Sequence, residues 1–170
     1  ARSGSKRCSD SSTPSRPRLT TRTIASCAGW SSASEAIRAA RAEAEELGLT
    51  NARFEVLDVA TLDEPESFDL VTAFDAIHDQ AHPARVLAAV ARALRPDGVF
   101  LMVDIKASSK LEENMEMPWA PFLYTASTMH CMTVSLAQGG EGLGACWGQE
   151  KARDLLSEAG FTAVEVSSVE

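Results

Sequence analysis

The stretch "FDLVTAFDAIHDQAHPARVLAAVARALRPDGVFLMVDI", residues 68–105, decides the fold class. An apolar run of strand length ends at Asp75, Pro83 suits the first turn of a helix, and a second apolar run ends at Asp104. The helix carries an apolar stripe, formed by Val86, Leu87, Val90 and Leu94. Continuous apolar strands joined by a helix are typical of parallel sheets covered on both faces. The stretch therefore predicts an α/β, Rossmann-like fold.

The same alternation continues on both sides of this stretch. Ser32 and Glu35 form a capping-box pattern before a helix that Gly48 ends, and residues 52–58 resemble a strand ending at Asp58. Near the end of the chain, a helix closed by Gly160 precedes "FTAVEVSSV", whose alternation predicts a half-exposed strand.

Composition narrows the class of protein. The 170 residues are 45% hydrophobic, enough for one core, and the formal charge of -8 argues against nucleic acid as a partner. The four cysteines form no CxxC pair, so neither a zinc site nor a disulfide framework is indicated. No apolar run reaches the roughly 18 residues that suggest a membrane span, and no secretory signal is visible. We therefore expect a cytoplasmic protein with no membrane partner.

Residues 1–32 differ from the rest of the chain. They are rich in Ser, Thr, Arg and Pro, contain one acid, Asp10, and lack apolar periodicity, so they are predicted to be irregular or disordered. A transit peptide and a solvated linker are two explanations. We favour a third, foreign or out-of-frame sequence joined to a domain that spans residues 33–170.

Three acids follow predicted strands, namely Asp58, Asp75 and Asp104. Ligands of parallel α/β sheets bind outside the carboxyl ends of the strands, so these acids predict a polar binding site. Turn chemistry at strand ends is the alternative explanation for each of them.

A long insertion, at about residues 106–148, is rich in methionine and aromatic residues, which could line a pocket for a small, partly apolar molecule. Tyr124, His130 and Trp147 are candidate walls of that pocket, with core or homodimer contacts as the alternative. Gly140, Gly142 and Ala145 also match G-x-G-x-x-A, which supports a nicotinamide-dependent oxidoreductase as a further alternative. A mobile lid loop explains these glycines more simply.

Four segments carry a family resemblance: "LGLTNARFEVLDVATL", "FDLVTAFDAIHD", "HPARVLAAVARALRPDGVFLMVDI" and "LLSEAGFTAVEV". Together they resemble the middle and late parts of a class I S-adenosylmethionine-dependent methyltransferase. With "PFLYTASTMHCMTVSLAQGGEGLG", they are similar to a bacterial subgroup that often carries an N-terminal winged-helix domain. The fold is expected to be incomplete, since the first strand with its glycine-rich turn and the last strand are not recognisable.

The resemblance implies a cofactor site for S-adenosylmethionine. Asp58 would bond the adenine amino group, with Val59 against the ring, while Phe74, Asp75 and Ala76 would line the methionine part. Gly29 and Ser31 fall where the family binds the ribose. The unrecognised glycine-rich turn predicts that methyl transfer is impaired in this chain.

The resemblance also implies a small-molecule acceptor beyond the cofactor, with the insertion at about residues 106–148 as a lid over it. His78 is the candidate general base, since an imidazole titrates near neutral pH, and the alternative is that it caps a turn. Asp79, Asp104, Tyr124, His130 and Trp147 are the candidate acceptor contacts, and no metal ligands are predicted. The competing function is that of a non-catalytic methyltransferase remnant acting through protein contacts.

Overall fold

A computed structural model describes the backbone of residues 21–25 and 30–168, and the side chains from residue 34 to residue 168. Its strands are β1 (Thr21–Ala25), β2 (Ala52–Val56), β3 (Phe68–Phe74) and β4 (Leu94–Val103). Its α-helices are α1 (Trp30–Glu46), α2 (Pro83–Ala93), α3 (Leu111–Asn114), α4 (Ala120–Ala126), α5 (Met132–Ala137) and α6 (Gln149–Glu158). A 3₁₀ turn (Val59–Thr61) follows β2, and a π-helical turn (Ser127–Cys131) joins α4 to α5.

The strands form two parallel pairs. β1 pairs with β2 across α1, and β3 pairs with β4 across α2, which confirms the predicted alternation of parallel strands and helices. Within the described ranges no hydrogen-bonded strand joins the two pairs. β1 and the first residues of α1 lie inside the segment that was expected to be irregular, so residues 21–25 and 30–32 of that segment form regular structure.

The "RPDG" turn is built into β4 instead of preceding it. Phe68 pairs with Leu94 and Leu70 with Val99, so residues 95–98 bulge out of the ladder between these two pairs. Gly98 fits there because a Cβ would come within 3.1 Å of the Phe68 carbonyl oxygen.

The core lies on one face of the β3–β4 pair. α2 and α6 bury Ile77, Val86, Leu87, Trp147, Ala152, Leu155 and Leu156 against Ala73, Phe100 and Met102 of the strands. On the opposite face, three cross-strand pairs project outward, and five of their six side chains are exposed and apolar: Leu70, Phe74, Val99, Leu101 and Val103. The prediction that both faces are covered is therefore wrong for the described residues, because α2 and α6 pack on the same face.

The predicted strand in residues 161–169 is absent from the described residues 161–168. A strand needs a ladder partner for its backbone groups, and here the side chains pack instead. Phe161 stacks on Phe100 with ring centroids 5.5 Å apart, and Val164 contacts the same core. None of the helices in the described part of the chain has both the length and the apolar composition to cross a membrane.

Candidate active site

The three predicted acids lie where their strands end. Asp58 follows β2 by one intervening residue, and Asp75 and Asp104 come directly after β3 and β4. Since β3 and β4 are parallel and paired through Phe74 and Val103, Asp75 and Asp104 lie side by side at one edge. The structure thus produces the carboxylate-lined edge that the sequence predicts there.

Asp58 is held in a fixed orientation by the turn that follows it. Its Oδ1 accepts a hydrogen bond from Ala60 N at 3.0 Å, and its carbonyl oxygen accepts one from the Thr61 hydroxyl at 2.7 Å. The residue is exposed, so the carboxylate can accept a further donor from a ligand.

Asp75 adopts a backbone conformation that is uncommon for a residue other than glycine. Its φ of 50° lies in the left-handed region, while its N–H donates to the Val103 carbonyl at 2.8 Å. Such strained positions cluster at binding sites, where the surrounding structure holds them. Asp75 is exposed and its Oδ1 lies 3.9 Å from His78 Nδ1.

His78 is the centre of a buried polar cluster. It is 1% exposed, and its Nδ1 lies 3.0 Å from Asp104 Oδ1. Asp104 Oδ1 also accepts from Ile105 N at 2.8 Å, which fixes the carboxylate. The other ring nitrogen, Nε2, lies 3.3 Å from Asp79 Oδ1, so carboxylates face both sides of the ring.

The environment of His78 has opposing effects on its pKa. Burial lowers it, but the hydrogen bond to Asp104 and the charges of Asp104, Asp79 and Asp75 outweigh burial, so the pKa is raised above its ordinary value. An imidazole in these surroundings is therefore held between carboxylates and is shielded from solvent.

The insertion packs directly on the loop after β3. The Ser135 hydroxyl donates to the Gln80 carbonyl at 3.1 Å, and Glu141 N donates to the Ala81 carbonyl at 3.0 Å. Gly140 permits this contact, because a Cβ there would lie 2.5 Å from Ala81 Cα. These contacts place the insertion against the loop that carries His78 and Asp79.

Cys131 is brought to this cluster by the π-helical turn. It is 9% exposed, and burial raises the pKa of its thiol to about 12, with a further contribution from Asp79. Asp79 Oδ1 is fully buried, and no partner in the described part of the chain meets hydrogen-bond geometry with it.

Tyr124 is held by a buried asparagine of the insertion. Asn114, 3% exposed, donates from Nδ2 to Tyr124 Oη at 2.9 Å and to the Ser108 carbonyl at 2.7 Å, and its Oδ1 accepts from Ser108 N at 2.9 Å. Every polar atom of this side chain therefore helps to attach α3 and α4 to the segment after β4.

We expect Asn114→Asp to lower the free energy of unfolding by about 2–3 kcal/mol, because a carboxylate oxygen would then face the Ser108 carbonyl in a buried position. The matched variant is Gln149→Glu, the same exchange of an amide for a carboxylate at an exposed position, which should change stability by less than about 0.5 kcal/mol. Urea denaturation followed by circular dichroism measures both. Equal stabilities for the two variants would contradict the conclusion that the hydrogen bonds of Asn114 attach α3 and α4 to the segment after β4.

The remaining predicted site residues lie in several different environments. Val59 and Ala76 are half-buried, with Val59 against the core cluster, whereas Phe74 and His130 are exposed. Trp147 is 5% exposed and packs inside the core. Ser31 lies in the first turn of α1, with its side chain outside the described set, and Gly29 lies outside the described residues.

The G-x-G-x-x-A match does not form a dinucleotide turn. Gly140 and Gly142 follow helix α5, whereas the nicotinamide fingerprint requires a strand ahead of its glycines. Gly144 and Gly148 serve close packing, since a Cβ at either would overlap Ser127 or the Ser108–Ser109 backbone. Close neighbours therefore explain these glycines, and the mobile lid loop suggested by the sequence is not needed to explain them.

Two residues of this region were not predicted from the sequence. The four cysteines form no CxxC pair, so the sequence pattern indicated no role for Cys131, and Asn114 belongs to no recognisable motif. Ser127, Cys131 and Ser135 recur at four-residue spacing and are all buried, which is the signal that could have placed Cys131 on the inner face of the insertion.

The architecture and the acidic edge define an α/β ligand-binding domain of Rossmann type. A family model described as "Methyltransferase domain" matches residues 22–160, and the chain belongs to that family. Enzymes of this family take their methyl group from S-adenosylmethionine.

Two curated relatives agree with the family. The chain is 34% identical over 82 residues to the uncharacterised methyltransferase YcgJ of Bacillus subtilis (strain 168), covering 48% of this chain and 32% of YcgJ. It is 44% identical over 50 residues to phthiotriol/phenolphthiotriol dimycocerosates methyltransferase 1 of Mycobacterium ulcerans (strain Agy99), covering 29% of this chain and 18% of that protein. The matched part is thus a third or less of each relative.

Solved structures are similar in fold. The crystal structure of YcgJ superposes with a TM-score of 0.50 at 27% identity, covering 64% of this chain and 44% of that one. The trans-methyltransferase CalH, solved in complex with S-adenosylhomocysteine, has a TM-score of 0.50 at 18% identity. The match covers 70% of this chain and 32% of CalH. The carbon methyltransferase of CurJ has a TM-score of 0.54 at 16% identity. The match covers 92% of this chain and 46% of the CurJ chain.

Proposed function

We propose that this chain forms the catalytic part of an S-adenosylmethionine-dependent methyltransferase that acts on a small-molecule acceptor. Family membership supports the reaction class. The observation that carries the proposal for this chain is the row of acids at the strand ends, with Asp58 and Asp75 exposed and fixed by backbone hydrogen bonds.

The described residues fit part of this cofactor. Asp58 offers an exposed acceptor for the adenine amino group, and the half-buried Val59 offers an apolar contact beside it. Phe74 and Asp75 offer an exposed aromatic ring and a carboxylate, which favour a sulfonium cation, and Ala76 leaves room next to them. Gly29 and Ser31 remain the proposed ribose contacts. When bound, S-adenosylmethionine supplies a methyl group activated by the positive charge on sulfur.

The acceptor would lie beyond Asp75, beside the loop after β3 and the insertion that packs on this loop. Asp79, with a side chain 31% exposed, and Tyr124, half-buried and oriented by Asn114, are the proposed contacts. His130, on the exposed side of the π-helical turn, is a further proposed contact. Trp147, which is buried in the core, would support the site through packing.

His78 and Asp104 would act by fixing the geometry of the site. In-line methyl transfer depends largely on positioning, and a rigid wall contributes to that. The Asp104–His78 hydrogen bond ties the end of β4 to the loop after β3, so the two loops next to the acceptor move as one body. The burial of the ring favours this role over direct proton abstraction.

We expect Asp58→Asn to weaken binding of S-adenosylhomocysteine by about 10- to 100-fold in calorimetric titration. Asn keeps an oxygen for the hydrogen bond from Ala60 N, but it places an amino group where the adenine amino group needs an acceptor. The fold should be unchanged, because the turn keeps its cap.

The control is Asp63→Asn, an exposed aspartate in the same loop, which should bind like the unmodified chain. Equal affinities of the Asp58 and Asp63 variants would remove Asp58 from the site. A folded, unmodified chain that does not bind S-adenosylhomocysteine would contradict the proposed activity and favour the non-catalytic alternative.

A further inference from the structure

The side chains around His78 Nε2 form a compact cluster of three different donor types. One ring nitrogen of His78, one carboxylate oxygen of Asp79 and Sγ of Cys131 lie within 4.8 Å of one another. Of these separations, the one between His78 Nε2 and Asp79 Oδ1 is 3.3 Å. His78 and Cys131 are buried, and Asp79 is half-buried. We propose that these three atoms form a binding site for a single Zn²⁺ ion.

The spacing of the donors suits a tetrahedral centre. Bonds of about 2.0–2.1 Å from zinc to nitrogen and oxygen place two ligands about 3.3–3.4 Å apart at a tetrahedral angle. The observed distance between His78 Nε2 and Asp79 Oδ1 is 3.3 Å. An ion can therefore be placed between these two atoms without moving either of them.

A second carboxylate orients the histidine for this task. Metal-bound histidines commonly donate their other ring nitrogen to a carboxylate, which fixes the tautomer and the ring plane. Asp104 meets Nδ1 at 3.0 Å and 3.2 Å through its two oxygens. With the proton on Nδ1, Nε2 keeps a lone pair for a metal ion on the side where Asp79 Oδ1 lies 3.3 Å away.

An unsatisfied buried atom points to the missing ligand independently. Asp79 Oδ1 is sequestered from solvent without a hydrogen bond of acceptable geometry among the described residues. Its nearest charged neighbour is His78 Nε2 at 3.3 Å, without hydrogen-bond geometry. A buried carboxylate oxygen without a well-formed hydrogen bond is costly, and a cation between it and the thiolate would remove that cost.

The donor set selects zinc over hard cations. Thiolate and imidazole are preferred by zinc, whereas Mg²⁺ and Ca²⁺ prefer oxygen ligands. On binding, the Cys131 thiol would lose its proton to solvent and ligate as thiolate. Asp75, His78 and Asp104 also lie close together, but Asp104 is already bonded to His78 Nδ1 and Ile105 N, so this group serves orientation.

Three protein ligands leave one position of a tetrahedral ion open. Open positions are typical of catalytic zinc sites and hold water or a polar group of a substrate. The site adjoins the proposed acceptor pocket through Asp79. Zinc binding itself does not rest on the proposed methyl transfer, and it is measured without S-adenosylmethionine.

The first experiment measures zinc retained by the full chain after reduction, chelator dialysis, addition of ZnCl₂ and gel filtration, with metal counted by mass spectrometry. We expect about one Zn²⁺ per chain, loss of that ion in Cys131→Ala and retention in Cys146→Ala, a cysteine outside the cluster. Asp104→Asn should weaken zinc affinity by about 10- to 100-fold. A chain that retains no zinc, or equal retention in the two cysteine variants, would overturn the proposal.

A second measurement needs no variant and so does not depend on the folding of one. Alkylation of the unmodified chain, with and without ZnCl₂, is mapped by peptide mass spectrometry. Zinc should slow the alkylation of Cys131 and leave that of Cys146 unchanged. If zinc does not change the alkylation of Cys131, the thiol is not a ligand and the site as proposed does not exist.

Discussion

Gly148→Ala will lower the free energy of unfolding by about 3–5 kcal/mol, the largest loss that we expect from a single methyl group in this chain. Gly148 precedes α6 with a φ of 86° and a ψ of 157°, a conformation that is essentially restricted to glycine and costs a residue with a Cβ about 1–3 kcal/mol. The added Cβ would also lie 2.5 Å from Ser109 Cα and would overlap Ser109 N. Backbone atoms cannot rotate away, so the Ser108–Ser109 segment must shift.

That shift would disrupt a dense set of hydrogen bonds. Ser109 N donates to Glu150 Oε2 at 2.7 Å, the Ser109 hydroxyl donates to the Trp147 carbonyl at 2.8 Å, and Gln149 N donates to the Ala107 carbonyl at 3.0 Å. These bonds attach the start of α6 to the segment after β4. Their loss adds to the steric cost.

The control for Gly148 is Gly139→Ala. Gly139 has a φ of 70°, but a Cβ there would meet nothing within 4 Å. This variant isolates the conformational cost, and we expect a loss of about 1–2 kcal/mol. Urea denaturation of both variants gives the comparison. Equal losses would show that the Ser108–Ser109 segment yields without cost and that the close packing is not important for stability.

Leu87→Ala will lower the free energy of unfolding by about 2–5 kcal/mol, because it opens a cavity at the centre of the core. Leu87 is 0% exposed and lies on the face of α2 that packs against β3, β4 and α6. The surrounding side chains belong to three separate elements, so they cannot close the cavity by a small movement of one of them.

The matched control for Leu87 is Leu136→Ala, a leucine in helix α5 that is 53% exposed. Its truncation should cost less than about 1 kcal/mol, since little apolar area is removed from a buried environment. Thermal unfolding and urea denaturation measure both variants. A comparable loss at Leu136 would indicate that the exposed side of α5 is covered in solution.

Local sequence patterns were sufficient for α2, α6 and the parallel strands β2, β3 and β4. Apolar periodicity, Pro83 and Gly160 are signals contained within a few residues, and each predicted its element correctly. The acids after the strands were also predictable, because the carboxyl ends of parallel strands must meet at one edge. The α/β class followed from these local signals together.

Other features depended on partners that are distant in the chain. The segment "FTAVEVSSV" alternates like a strand, yet residues 161–168 form none, because its apolar side chains pack on the core and no strand offers it a ladder. The regular structure at Thr21–Ala25 escaped prediction since the pairing with β2 stabilises a segment with weak apolar patterning of its own.

The alternation of β2, β3 and β4 with their helices, the acidic edge and the likeness to methyltransferases could be predicted from the sequence, because these features depend on spacing along the chain. The enclosure of His78 by Asp104 and Asp79, and the position of Cys131 beside them, depend on tertiary packing. A π-helical turn and a glycine-permitted contact bring Cys131 there across more than 50 residues of chain. Such proximity has no local signal, since it arises from the packing of one element on another.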